Sequence, residues 1–132
     1  MSHANADRTV DDRRELERER NQPHRRMPIP ARVMFVPLDG SAPARWAFAE
    51  DVGRLGIFIC TSAPLALGTA VILRMTTAYN QRYPIYVRGE VVHRVNGAGF
   101  GCRYVELEEG TQLLLDRLVQ IAEQLAEQAR AC

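Results

Sequence analysis

Residues 84–107 read PIYVRGEVVHRVNGAGFGCRYVEL, and their pattern decides the fold. Ile85, Val87, Val91 and Val95 recur at the two-residue period of an extended chain, which places them on one face. Tyr86, Arg88, Glu90 and Arg94 fall largely on the other face. Asn96-Gly97 comes next, and that dipeptide suits a tight hairpin because both residues tolerate positive φ. Alternation then resumes over 100–107, with Phe100, Cys102 and Tyr104 on the inward face. The reading is two antiparallel strands, 84–95 and 100–107, joined by a tight turn.

Upstream of this hairpin the same signals repeat. A β-type run at 31–38 stops at Pro37 and turns at Asp39-Gly40. A second strand is expected at 44–50, with Trp46 and Phe48 sharing a face. A third, at 57–61, lacks alternation and so reads as buried on both sides. After a loop bracketed by Pro64 and Gly68, a fourth strand at 69–75 carries Val71, Leu73 and Met75 in step. A polar loop then leads to residue 84. Six short strands joined by turns favour an antiparallel barrel or sandwich. A small closed barrel is preferred, because closure removes the sheet edges.

Downstream, Leu114, Leu118, Ile121 and Leu125 form an apolar stripe at helical spacing. Glu108, Glu109 and Asp116 lie early and Arg130 late, which suits the helix dipole. The first two turns are expected to cover an open end of the sheet. The last two, thinned by alanines, are expected to overhang it and to offer a surface for a protein partner or a second copy of the chain.

The N-terminal third has another character. Residues 1–22 contain the run Asp12 to Arg20, almost all charge, with Leu16 as the single apolar residue from 11 to 22. Such a segment cannot bury a face by itself; it is a flexible or partly helical arm, or a helix that orders against a partner. Residues 23–30 hold three prolines around Arg25 and Arg26 and read as a linker of extended backbone. The domain then runs from 31 to 132.

Composition excludes several functions. The 132 residues suit one domain. No apolar run approaches the roughly 20 residues that span a bilayer, and the charged N-terminus lacks the apolar core of a secretory signal, so a cytoplasmic protein is expected. Net charge is +1, with arginine as the sole strong base, which argues against a general DNA binder. Cys60 and Cys102 lie in apolar strand-like runs and read as buried thiols. His3, His24 and His93 are scattered; His93, on the Val91 side of its strand, reads as structural. Nothing in the spacing assembles a catalytic set or a metal site, so no enzyme is expected.

One stretch remains as a candidate site. Asp51-Val-Gly53-Arg54-Leu-Gly56 is a polar glycine turn leading into the apolar run Ile57 to Cys60. Asp51 puts an acceptor at its mouth and Arg54 a planar cation within it. Glycines at 53 and 56 allow positive φ or close approach to a ligand or strand.

Several of these stretches, in order, resemble the PilZ domain family. The matching features are Gly56-Ile-Phe-Ile59, Pro64-Leu-Ala-Leu-Gly-Thr69, Gly89-Glu-Val-Val92 and Gly99-Phe-Gly-Cys-Arg-Tyr-Val-Glu-Leu107, preceded by a basic linker. The resemblance covers residue 24 to the C-terminal helix. It implies a six-stranded antiparallel barrel with a closing helix, mainly β. It also implies a signalling protein that binds the bacterial second messenger cyclic di-GMP and acts on a downstream partner. The family's ligand motif is R-x-x-x-R in the linker plus D/N-x-S-x-x-G in the turn. Arg26, Asp51 and Gly56 match it; Gly53 stands at the serine, and Gln22 stands where the first arginine would be. Arg25 and Arg54 are candidates by chemistry, since arginine pairs with phosphate and with guanine O6 and N7. The alternative implied by these departures is a PilZ-like adaptor that binds no nucleotide and regulates motility or polarity through protein contacts. No other cofactor is implied.

Overall fold

The computed structural model describes residues 26–131. The expected arm over 1–22, Arg25, His3, His24 and Cys132 lie outside the described residues. Among the described residues, six strands and one helix follow in order: β1 (Ala31–Pro37), β2 (Arg45–Ala49), β3 (Gly56–Cys60), β4 (Ala70–Thr76), β5 (Ile85–Val95), β6 (Gly99–Val105) and α1 (Glu109–Ala131). They close into an antiparallel barrel in the order β1-β2-β3-β6-β5-β4. β1 completes the ring by pairing with both β2 and β4. All twelve strand edges are therefore used, and the sheet faces are what the barrel offers to solvent.

Alternation puts Val33 and Phe35 of β1, Val71, Leu73 and Met75 of β4, and Phe100 and Cys102 of β6 inside, each essentially inaccessible. Phe35 and Phe100 meet edge to face with ring centroids 5.2 Å apart. These rings fill the interior, so β2 contributes only Ala47 and Ala49 to it. Trp46 and Phe48 consequently share the outer face.

The β5–β6 hairpin turns as expected, with Gly97 at φ 75° and Ala98 N donating to Val95 O at 3.0 Å. A bulge between Val91 and His93 alters the facing. Val91 and Val92 are both buried, and beyond them the parity reverses. Val95 is therefore exposed rather than inward, and His93 turns outward to lie 6.3 Å from the Phe58 ring. Strand β3 also departs from its reading: Ile57 and Ile59 are buried, whereas Phe58 and Cys60 are half-buried on the outer side. An uninterrupted apolar run conceals which alternate residues face out.

The helix keeps part of the expected stripe, with Leu118 buried and Ile121 half-buried, but Leu114 and Leu125 are exposed. Leu115, Val119, Ala122 and Ala126 are buried in their place, so the inward face is turned by about one residue. Leu115, Leu118, Val119 and Ala122 join the same core cluster as Ile29 and Val52, beside the start of β1 and the end of β2.

Candidate functional site

The site is built from Pro28-Ile29-Pro30 upward. Two prolines hold the chain extended, and the intervening Ile29 is wholly buried in the core. Its backbone is then committed: Ile29 O accepts from Val52 N at 2.9 Å, and Ile29 N donates to Asp51 Oδ1 at 2.9 Å. The end of the linker is thus fastened to the turn that follows β2.

Arg26 completes the junction. Its Nη1 donates to Asp51 Oδ1 at 2.6 Å and to Met27 O at 3.0 Å, and its Nη2 donates to Val52 O at 3.0 Å. The Arg26 side chain is 7% exposed and that of Asp51 31%. A shielded guanidinium in contact with a carboxylate and two carbonyls is a strong, charge-assisted arrangement. Both donors use the same carboxylate oxygen. Among the described residues, Asp51 Oδ2 takes no hydrogen bond.

The turn itself is tight. Gly53 N donates to Gly56 O at 3.1 Å, and Val52 bridges to Ile57. Neither Gly53 nor Gly56 adopts positive φ. Gly56 is required for close approach: a Cβ there would lie 2.1 Å from Cys102 O of β6. Leu55 O accepts from Tyr104 N at 3.0 Å, fixing the turn to that strand. Arg54 points toward α1, with Nη2 at 3.1 Å from Glu123 Oε1 and Nε at 3.5 Å from Asp116 Oδ1. Met27 N donates to Ala122 O at 3.2 Å, so linker, turn and helix converge.

The structure therefore brings together Arg26, Asp51, Gly53 and Gly56, and turns Arg54 to the helix; Arg25 lies outside the described residues. A family model for the PilZ domain matches residues 12–120. The chain belongs to the PilZ domain family.

The PilZ barrel is also recognisable in three dimensions. The PilZ domain of CeSA from a cellulose-synthesising bacterium superposes with a TM-score of 0.51 at 22% identity, covering 70% of this chain and 89% of that one. That likeness shows the fold. No curated protein matches the sequence. PilZ domains are receptors for cyclic di-GMP, binding and signalling modules rather than catalysts as a rule.

Sequence reasoning missed Ile29 and Val52, whose backbone groups hold the junction. The available signal was an apolar residue trapped between two prolines. It also missed Asp116 and Glu123 as partners of Arg54, because a pairing across 62 or 69 positions has no local signature. Arg103, the arginine of the matching Gly99–Leu107 stretch, pairs with Glu90 across β5 and β6 at 3.1 Å. Among the described residues, no three His, Cys, Asp or Glu side chains gather to hold a metal, and no helix is long and apolar enough to cross a membrane.

Proposed function

We propose that this PilZ chain is a cyclic di-GMP receptor that passes ligand occupancy to a downstream partner through its linker. The observation that carries the reading is the meeting of Arg26 and Asp51, the two matched halves of the family's motif, at 2.6 Å. Arg26 and Ile29 N orient Asp51 through Oδ1, which leaves Oδ2 to accept from the N–H groups of a guanine edge. Arg26 is too shielded to reach ligand in this arrangement and acts as a positioning residue. Arg25, the preceding residue in the chain, supplies the contact to guanine O6 and N7 or to phosphate. Occupancy draws Arg25 onto this fastened linker end and so repositions the charged arm in front of it. This activity belongs to the cytoplasm, where the messenger is made.

The departures from the motif set the strength. A missing arginine–guanine contact costs about 1–3 kcal/mol and a missing hydroxyl contact about 1 kcal/mol, together roughly 30- to 1,000-fold in affinity. Titration calorimetry at about 100 µM protein, where weak binding still registers, tests the reading. Saturable heat with cyclic di-GMP, lost in Arg25→Ala and Asp51→Asn, is expected; its absence from the wild-type chain would refute the reading.

A second reading is a PilZ adaptor acting on motility or polarity through protein contacts alone, with the charged arm or α1 as the contact. The engagement of Arg54 by Asp116 and Glu123 favours it, since that cation is already neutralised. Exposed Leu113, Leu114 and Leu125 on α1 favour it too, and also leave room for a homodimer. Retention of every partner after removal of residues 1–22 and the last helical turns would count against it.

A further inference from the structure

The outer face of the barrel across β2, β1, β4 and β5 carries a feature that the nucleotide reading does not use. Strand register lines up one row of outward residues: Trp46 opposite Met34, Met34 opposite Arg74, and Arg74 opposite Tyr86. The adjacent row sets Phe48 opposite Arg32. Trp46 and Phe48 are each 49% exposed and Tyr86 61%. Three large aromatic side chains within strands, facing solvent, are unusual for a barrel with a full interior.

The two arginines give the patch its sign. The Arg32 guanidinium lies 4.6 Å from the Trp46 ring centroid and that of Arg74 lies 5.8 Å away. Among the described residues, neither has an acidic partner. The Nε of Arg74 is buried and takes no hydrogen bond. The row also leads somewhere: Tyr86 borders a cleft of about 440 Å³ between β5 and α1, lined by apolar Leu107 and Leu114 and by charged Arg88, Glu106 and Glu108.

We propose that this face docks an acidic, extended segment of a partner protein bearing an apolar anchor residue. The composition is that of an interface centre, where tryptophan, tyrosine and arginine carry most of the binding energy. Because the barrel is closed, a segment cannot add as a strand and must lie across the face. Three inter-strand steps from Trp46 to Tyr86 span about 14 Å, which roughly four extended residues cover. Carboxylates of the segment meet Arg32 and Arg74, its chain lies against Trp46, and its anchor enters the cleft past Tyr86. A polyanion such as single-stranded nucleic acid fits less well. Its affinity grows with the number of phosphates neutralised, and this face offers two uncompensated cations on a chain of net charge +1.

Trp46 is the single tryptophan of the chain, so its emission reports the face directly. The probe is a ten-residue peptide alternating glutamate with phenylalanine, titrated into the full chain. Its glutamine counterpart, oligothymidylate and anionic phosphatidylserine vesicles are titrated in parallel. The acidic peptide is expected to change Trp46 emission saturably. Arg32→Gln, at an exposed position, and Arg74→Gln, at a half-buried one, are each expected to weaken it about tenfold or more. Circular dichroism is expected to stay unchanged in both variants. Equal response to the glutamine peptide, stronger response to oligothymidylate or vesicles, or wild-type affinity in both arginine variants would overturn the proposal.

Discussion

Replacing Asp51 with alanine tests the junction at its centre. The substitution removes one acceptor oxygen that serves two donors, Arg26 Nη1 at 2.6 Å and Ile29 N at 2.9 Å. Hydrogen bonds to a charged group each contribute about 1.5–3 kcal/mol, a gross range of about 3–6 kcal/mol for two. Asp51 is about one-third exposed, so water reaches part of the vacated space, and Arg26 keeps Met27 O and Val52 O. The net cost is therefore set at about 2–4 kcal/mol, a sizeable share of the 5–15 kcal/mol typical of a domain. For a body of this size that lowers Tm by roughly 6–20 °C. Asp51→Asn keeps an acceptor for Ile29 N and gives up the charge, so about half that loss is expected. The assay is urea unfolding of Asp51→Ala, Arg26→Ala and the double variant. Because the two residues share one contact, the double variant should be less destabilised than the sum of the singles, with a coupling of about 1–2 kcal/mol. Additive losses, or a cost below about 0.5 kcal/mol for Asp51→Ala, would show that the contact does not hold the linker.

Two further outcomes follow from geometry and burial. Gly56→Ala places a Cβ against Cys102 O and should cost about 2–4 kcal/mol, because backbone must move. Gly97→Ala meets no atom within 4 Å and should cost only the positive-φ penalty of about 1–2 kcal/mol; equal losses in chemical denaturation would contradict this contrast. Burial pushes the Cys102 thiol well above its ordinary value of 9.0. The folded state keeps that proton while the unfolded state loses it, so stability holds below pH 9 and falls above it by about 1.4 kcal/mol per pH unit. Urea midpoints at pH 7, 9 and 10.5 should show this slope in the wild type and a shallower one in Cys102→Ala; identical slopes would refute the assignment.

The barrel was legible in the sequence because alternation and turn chemistry agree over most of 31–107. The disagreements have particular causes. On β5 the period-two reading failed at Val92, since a bulge inserts a residue without any Gly or Pro to mark it. On β2 the shared face of Trp46 and Phe48 was readable, but not that it points outward. That choice depends on Phe35 and Phe100 filling the interior from other strands. On α1 two apolar stripes one residue apart compete, and only packing decides between Leu114 and Leu115. The candidate turn is visible in its resemblance to a family motif, which groups Arg26 with Asp51 although 25 residues separate them. The direction of Arg54 depends on a helix more than sixty residues later, and nothing near residue 54 specifies it.

The bond from Met27 N to Ala122 O has a consequence for how this unit can be joined to others. Where the chain enters the barrel and where its last helix lies are in contact. A domain fused ahead of residue 26 starts beside the middle of α1, whereas one fused after Ala131 starts nine helical residues, about 14 Å, further along. Dyes at Met27 and Glu123 would therefore sit at short range while the linker is seated against α1, and would separate when it lifts.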